Sequence, residues 1–562
     1  MSSSSSGILT GARAAVAALE EAGVEVAFGL PGVHNLALWR ELGASPIRLV
    51  GVRHEQTAAY AADGYARASG RLGVAVTTTG PGAANTLAAV GEAWASRQPV
   101  VVIATDIPTK ARRPGVWRGS LHEATDQAAM FVPVVKDAVR VHRPEEIGAA
   151  VAAVAQTALA APQRPVYLEI PTDLLSAELG ATSDRQGVNR VLEHVQPGRS
   201  APPPPSLDRE QVLRAVELLE RSRRPLVWAG GGALQAGAGE GVGRLAERLI
   251  APVILTYSAR GLLPPDHPCL VDGPPHVPQV GALWDEADVV VAIGSDLDGM
   301  MTQGWKMPQP PHLIALNVDA RDASKNYLPD LVVEADAAAA TALIADRLAE
   351  RGGFDALARR IRALRTEVAE ELARDDPEAS AFLTALERAL PEDAVVVCDM
   401  CIPGYWLGGF HRTPAPRKLS YPLGWGTLGC AFPQSLGAAL AEAGPVVSVS
   451  GDGGFLYACG ELATAKQEGI PLTAVIVDDG GYGMLRFDQD LRGDPREGVD
   501  LATPDFLALA GSFGIRADSV DGLGEHFAMA LKGHVALEEP TVLVAKATLG
   551  PPLNVSPRWY RR

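Results

Sequence analysis

Several things are scarce in this sequence, and each scarcity closes off a class of protein. Its 562 residues hold five cysteines, at 269, 398, 401, 430 and 459. An odd, scattered set of this kind is not a disulfide framework. Cys398 and Cys401 form a C-x-x-C, but no second pair is present to complete a zinc site. No run of eighteen apolar residues occurs, so no membrane span is expected. Basic residues are in deficit, 50 against 66 acidic, for a net charge of −16. That balance argues against nucleic acid or an anionic lipid surface as a partner. Met1–Ser6 lacks the basic and apolar regions of a signal peptide, which predicts a frayed tail and a cytoplasmic protein. Gly230-Gly231-Gly232 has neither the G-x-G-x-x-G register nor an acid at the next strand end. It predicts a tight strand-to-helix turn, with a flavin- or nicotinamide-dependent oxidoreductase as the competing reading.

What is present is concentrated between Val446 and Leu485. An apolar run, Val446 to Val449, predicts a buried strand that leads into Gly451-Asp452-Gly453-Gly454. Glycines there allow a bound group to approach the backbone closely. A helical segment follows and stops at Gly469-Ile470-Pro471, and a second apolar strand ends in Asp478-Asp479. Two strands of one parallel sheet finish at the same edge, so Asp452 and Asp479 can converge. Two hard oxygen ligands beside a helix N-terminus suit a Mg²⁺ ion that carries a phosphate ligand.

This segment resembles the signature of the thiamine diphosphate (ThDP) enzymes, a GDG followed by Asn or Asp about thirty residues on. Asp479 stands 27 residues after Asp452 (479 − 452). The resemblance makes Asp452 and Asp479 the metal ligands, with the carbonyl of Gly481 as a third. It departs from the family at Asp478-Asp479, where Asn-Asn is usual. Near the N-terminus, Arg53-His54-Glu55 and the following Ala-Asp-Gly-Tyr-Ala-Arg (62–67) are similar to the family's segment for the pyrimidine ring. Glu55 falls on its activating glutamate, although an acid in a first helical turn is also favoured by the helix dipole alone. The same resemblance assigns cofactor contacts to Gly80 and Asn85, in the glycine-proline-glycine loop. It assigns them also to Cys401 and Ile402, to Gly426 and the ring-wedging Leu428, to Gly451, Gly453 and Gly454, and to Tyr482, Gly483 and Met484. Met484 could equally be plain core.

Taken over the chain, the resemblance implies an α/β protein of three doubly wound parallel-sheet domains in the ThDP-binding fold. The length alone predicts about three cores. Expected boundaries are a pyrimidine domain over 1–185, a proline-rich linker over 186–206 and a central domain over 207–351. A connecting helix over 352–376 and a diphosphate and metal domain over 377–562 follow. The tail 557–562 could cover the site or pack on a neighbour. The family builds its site between subunits, which implies a homodimer at least and usually a homotetramer. It implies ThDP and Mg²⁺ as cofactors, and a 2-oxo acid or hydroxy ketone as substrate.

Two histidines bear on the reaction. His34 matches a proton-handling histidine of benzaldehyde lyase, and His122 stands where acetolactate synthases and benzaldehyde lyase carry glutamine; either could also be a surface residue. Both are candidate catalytic groups beside Glu55. Gly294–Met300 stands where acetolactate synthases have an arginine-bearing segment for acceptor and flavin, and it contains no arginine, so flavin is not expected. The leading expectation is acetolactate-synthase-like carboligation of a 2-oxo acid through an enamine. The alternative is simple decarboxylation or hydroxy-ketone cleavage, of the benzoylformate decarboxylase or benzaldehyde lyase kind. A ThDP-fold regulatory subunit is disfavoured by the intact Glu55, Asp452 and Asp479.

Overall fold

A computed structural model describes residues 9–179 and 205–552. Met1–Ser6, the expected linker apart from its last two residues, and the tail 557–562 lie outside them. Three sheets are present, and every strand pair in them is parallel. Strands β1 (Val26–Gly29), β2 (Arg48–Gly51), β3 (Gly73–Thr77), β4 (Val100–Asp106), β5 (Ala138–Arg140) and β6 (Val166–Pro171) form the first, ordered β2-β1-β3-β4-β6-β5. Every residue of β1, β3, β4 and β6 is buried, because helices cover both faces of a parallel sheet and leave no solvated side.

The second sheet holds β7 (Pro225–Ala229), β8 (Val253–Leu255), β9 (Val289–Ile293), β10 (Leu313–Asn317) and β11 (Leu331–Glu334), ordered β11-β10-β9-β7-β8. The third holds β12 (Val395–Cys398), β13 (Leu419–Ser420), β14 (Val446–Gly451), β15 (Thr473–Asp478), β16 (Arg516–Asp521) and β17 (Thr541–Lys546). Its order is β13-β12-β14-β15-β17-β16. In each sheet the chain winds outward in both directions from a pair of central strands. That reversal opens a crevice at their C-terminal ends, between β1 and β3, between β7 and β9, and between β12 and β14.

The chain forms two compact units. One contains the first sheet together with Gly424–Glu442 and Ala458–Ile470, and the other contains the second and third sheets. Gly426 and Leu428 therefore sit in the unit of the first sheet. Among the described residues no helix is long and apolar enough to cross a membrane.

Close helix packing holds the first unit together. The helix Glu55–Ser69 is rich in alanine and crosses the helix Ala431–Ala439 at contact distance. A Cβ on Gly64 would lie 1.9 Å from the Gln434 carbonyl oxygen, and one on Gly437 would lie 1.7 Å from that of Ala61. A buried polar network locks the crossing. Asp63 accepts from Arg67 Nε at 3.0 Å and from Gln434 Nε2 at 2.7 Å, and Arg67 also reaches Glu92. Burial still pushes the Asp63 carboxyl up to about 6.

The Gly64→Ala variant is expected to lower the thermal unfolding midpoint in calorimetry, at a cost of about 1–3 kcal/mol or more for an overpacked contact against backbone. Gly43→Ala, whose added methyl meets nothing within 4 Å, should leave the midpoint unchanged. Equal midpoints for the two variants would contradict the proposed crossing.

Candidate active site

The acidic half of the site is built by the third sheet. β14 ends at Gly451, and Asp452 begins a short helix, Asp452–Phe455, at the β12/β14 crevice. The Asp452 side chain is fully buried. Its Oδ1 accepts the main-chain N–H of Gly453 at 2.6 Å, while Oδ2 is buried with no hydrogen-bond partner. Burial, and then the nearby charges of Asp479 and Asp478, push the Asp452 carboxyl up to about 7. Asp479 is likewise raised by burial, and the Arg486 guanidinium opposes that rise. Arg486 donates to the Asp479 carbonyl at 3.0 Å and to Asp479 Oδ1 at 3.2 Å, and its Nε lies 3.0 Å from Asp500.

Glycines make room for this cluster. A Cβ on Gly483 would come within 2.5 Å of Asp479 Oδ2, and one on Gly453 within 2.6 Å of the Tyr482 ring. The turn through Gly481 is held by Tyr482 N–H donating to Val499 O at 2.8 Å and by Leu501 N–H donating to Gly480 O at 2.9 Å. Gly481 adopts φ +153°, and a side chain there would strike Val499 O. Met484 is buried, in keeping with its reading as core. On the other side of the crevice, Cys401 caps the helix Ile402–Phe410, and its Cβ lies 3.7 Å from a Cβ placed on Gly451. Burial raises both Cys398 and Cys401 thiols, which is the opposite of a reactive thiolate.

These donors fit a divalent cation with an anionic ligand. Among the described residues no cluster of three His, Cys, Asp or Glu side chains is arranged to hold a metal alone. Two carboxylates and a carbonyl leave positions for phosphate oxygens and water, as Mg²⁺ prefers. The unpartnered Oδ2 of Asp452 is the atom that such a cation would satisfy.

The other half lies on the first sheet. Glu55 opens the helix Glu55–Ser69 at the end of β2, where His54 Nδ1 caps Gln56 N–H. Glu55 is buried, and its Oε2 accepts from Asn85 Nδ2 at 2.9 Å. Asn85 thus positions the carboxylate. The loop after β3 runs beside it: a Cβ on Gly82 would sit 3.3 Å from Glu55 Oε1. Glu461 supplies a support with no sequence signature, accepting the main-chain N–H groups of Arg53 and His54 at 3.0 Å and Thr464 Oγ1 at 2.5 Å. Gly80, at φ +65°, donates its N–H to the buried Gln127 Oε1 at 2.6 Å.

The two candidate histidines meet. His34, on the loop after β1, and His122, on the long segment after β4, place their rings edge to face with centroids 5.3 Å apart. Burial and then the His122 ring lower the His34 imidazole below its usual range, and Asp106 acts against them. Gly426, at φ +63°, and Leu428 lie on a loop whose contacts run to Gly91, Glu92 and Ala95. In the second sheet, Gly230 and Gly232 pack directly on the backbone of Gly294, and Gly232 N–H donates to Gly294 O at 2.9 Å. Those glycines are accounted for by packing.

Comparison with known proteins agrees over most of the chain. Residues 9–130 match the thiamine pyrophosphate enzyme N-terminal TPP binding domain. Residues 212–344 match the central domain and 401–545 the C-terminal TPP binding domain of the same enzymes. A probable 2-ketoarginine decarboxylase of Pseudomonas aeruginosa is 35% identical over 524 residues, covering 92% of this chain and 90% of that protein. A probable acetolactate synthase large subunit of Methanocaldococcus jannaschii is 31% identical over 531 residues, covering 91% and 88%. An acetolactate synthase large subunit of Mycobacterium tuberculosis is 31% identical over 528 residues, covering 90% and 83%.

The raised Asp452 carboxyl sets a pH dependence. Its folded pKa, about 7, lies above the unfolded value of 3.8. Without metal, the protonated acid therefore favours folding at low pH, and that contribution is lost as pH rises from about 4 through 7. A cation needs the charged form and must displace the proton below pH 7. Metal-dependent ThDP affinity, measured by calorimetry, should rise about fivefold from pH 6 to 7 and only about twofold from pH 7 to 8. Affinity independent of pH across that interval would contradict the assigned ligand.

Proposed function

We propose a reaction from one premise: this chain belongs to the thiamine pyrophosphate enzymes. It is a ThDP- and Mg²⁺-dependent carboligase that joins a 2-oxo acid to a second carbonyl compound, with loss of CO₂. The observation that carries this reading is the pairing of Glu55 with Asn85 in one buried site and of unpartnered Asp452 with Asp479 in another. When bound, the cofactor supplies a carbon nucleophile and an electron sink for the departing carboxylate.

The chain's own groups do the rest. Asp452, Asp479 and the Gly481 carbonyl would hold Mg²⁺, and the N–H groups at Gly453–Gly454 and Cys401–Ile402, at two helix starts, would receive the diphosphate. Glu55 holds one oxygen on Asn85 and keeps the other for a proton at the pyrimidine ring, in a buried setting that strengthens the hydrogen bond. Gly80, Gly426, Leu428, Gly451, Tyr482, Gly483 and Met484 complete the cofactor's surroundings. The working assembly is a homodimer or homotetramer in the cytoplasm.

Ligation is favoured by the relatives named acetolactate synthase. Decarboxylation with release of an aldehyde is the second reading, supported by the relative named 2-ketoarginine decarboxylase and by the arginine-free Gly294–Met300 segment.

The test is a mass-spectrometric screen of the ThDP- and Mg²⁺-loaded protein with pyruvate, longer 2-oxo acids (2-ketoarginine among them) and benzoylformate, each with and without an aldehyde or 2-oxo acid acceptor. A coupled hydroxy ketone or hydroxy acid is the expected product; aldehyde and CO₂ alone would replace ligation with decarboxylation. Glu55→Gln should cut turnover at least about 10²-fold, the low end for a lost proton-transfer group, while ThDP binding by fluorescence quenching stays within about threefold. Full activity in that variant would remove Glu55 from the mechanism.

A further inference from the structure

One cavity takes no part in the cofactor site. It holds about 630 Å³ and lies in the unit of the second and third sheets, where the domains of those two sheets meet. Three stretches of chain wall it: the helix Gly239–Leu249, the loop 261–267 that follows β8, and the segment 414–416 beyond the helix Ile402–Phe410. Side-chain bonds clamp the last two together. Arg412 pairs with Asp266 at 2.7 Å, and Arg260 Nε donates to Gly408 O at 3.2 Å. Gly261, at φ +81°, lies so close to the opposite wall that a Cβ there would stand 2.1 Å from Ala415 O. Domain junctions, with cavities of this order of volume, are where small-molecule sites are usually found.

The floor of the groove is apolar, formed by Leu234, Leu262, Leu263, Pro264, Pro414 and Pro416. The helix turns Val242, Leu245, Ala246 and Leu249 into the core. Towards the groove it presents Glu240, Gly243, Arg244 and Glu247, spaced as one helical face. Glycine inside a helix costs about 1 kcal/mol against alanine. At Gly243 it leaves room for the opposite wall, because a Cβ there would come 3.0 Å from His267 Nε2.

Charge decides what such a groove accepts. Arg244 is neutralised by Asp346. Glu240 makes no hydrogen bond or ion pair with a described residue. Among the described residues, the Glu247 carboxylate has no partner nearer than His267, at 3.6 Å. His267 is a weak counter-charge: its Nδ1 accepts the Cys269 N–H at 3.2 Å, and burial lowers the imidazole against the opposing pull of Glu247. Two carboxylates therefore stand unneutralised at the two ends of an apolar groove. Seven residues apart (247 − 240), they are separated by about 10 Å along the helix axis.

We propose that this groove binds a linear organic dication, an α,ω-diamine. Its methylene chain lies on the leucine and proline floor, and its two ammonium groups pair with Glu240 and Glu247. An extended eight-carbon diamine spans about 11 Å between nitrogens, from bond lengths near 1.5 Å, which matches the carboxylate spacing. A four-carbon diamine is too short to reach both. Burial of the methylenes supplies affinity, and the two charges supply selection. The site stands apart from the reaction proposed above, since none of its residues belongs to the cofactor machinery.

The test is isothermal titration calorimetry of the ThDP- and Mg²⁺-loaded full chain at low ionic strength, with 1,8-diaminooctane, 1,4-diaminobutane, octylamine and octanoate. 1,8-Diaminooctane should bind tightest. Octylamine should bind about two- to fivefold more weakly, the worth of one exposed ion pair, and octanoate should not bind. Glu240→Gln and Glu247→Gln should each weaken the diamine by about that factor, and the double variant by about the product, because the two carboxylates share no partner. In the double variant the diamine and octylamine should bind alike. Both carboxylates are exposed at the rim, so the unliganded thermal midpoint should not change. Diffuse attraction to a chain of net charge −16 would instead give binding that ignores chain length and both substitutions, and that result would overturn the site. Equal affinity for diamine and monoamine in the wild type would overturn it as well.

Discussion

A carboxylate removed from water must find a partner or take up a proton, and this chain buries several acids. Most of them are satisfied internally. Asp63 has Arg67 and Gln434, Glu461 has the main-chain N–H groups of Arg53 and His54, Glu169 has Arg140, and Glu55 has Asn85 and a helix start. Two keep a buried oxygen without a hydrogen-bond partner: Asp106, whose Oδ2 lies 4.0 Å from Arg140 Nε, and Asp452. Burial without a partner is costly enough that Asp452 responds by holding its proton toward neutrality. The contrast separates acids paired with guanidinium, amide or main-chain N–H groups from Asp452, whose charged neighbours are the carboxylates of Asp478 and Asp479. Glycines crowd here because side chains would collide: a Cβ on Gly483 would meet Asp479 Oδ2, one on Gly453 the Tyr482 ring, and one on Gly481 the Val499 carbonyl.

How much of this was legible in the sequence follows from what kind of signal each feature leaves. The third sheet's site was readable because one strand-helix-strand unit places its two acids a fixed distance apart along the chain, and apolar runs mark both strands. Parallel pairing of β14 with β15 then aligns Gly451 with Val477, leaving Asp452 just beyond one strand end and Asp478–Asp479 at the end of its neighbour. Glu55 was readable because a strand running into a helix start leaves a local pattern. Glu461 was not, because its bond to Arg53 spans 408 residues and a buried glutamate has no periodicity. Gln127 and the meeting of His34 with His122 were hidden for the same reason: loops brought together by the β1/β3 reversal and by β4 carry no common spacing. The sharing of residues between units was also invisible, since Gly424–Glu442 and Ala458–Ile470 leave the third sheet's stretch of sequence to join the first sheet's unit.

The middle sheet shows the opposite outcome. Its glycine run sits at a switch point, where fold logic alone would suggest a nucleotide. The contacts give another reason: Gly230 and Gly232 lie against Gly294, so side chains there would collide with backbone before any ligand arrived. Close approach of two chain segments and close approach of a phosphate demand the same residue, and sequence cannot tell them apart.

The replacement of the usual Asn-Asn by Asp478-Asp479 can be weighed electrostatically. Three carboxylates, Asp452, Asp478 and Asp479, lie near one guanidinium, Arg486, which is within 3.2 Å of Asp479 Oδ1 and also pairs with the exposed Asp500 outside this set. Fully ionised, this set carries two net negative charges, which one divalent cation cancels before any diphosphate arrives. The diphosphate then meets a neutral cluster where a single aspartate with two amides would have left a net positive one. Arg486 reduces that difference, because it binds Asp479 through both its carbonyl and its carboxylate and so keeps one ligand oriented as well as neutralised. In the proposed site, attraction for the diphosphate would then come more from helix N-termini and main-chain N–H groups than from excess cationic charge, which would put the weight of cofactor binding on the geometry of Gly451–Gly454 and Cys401–Ile402.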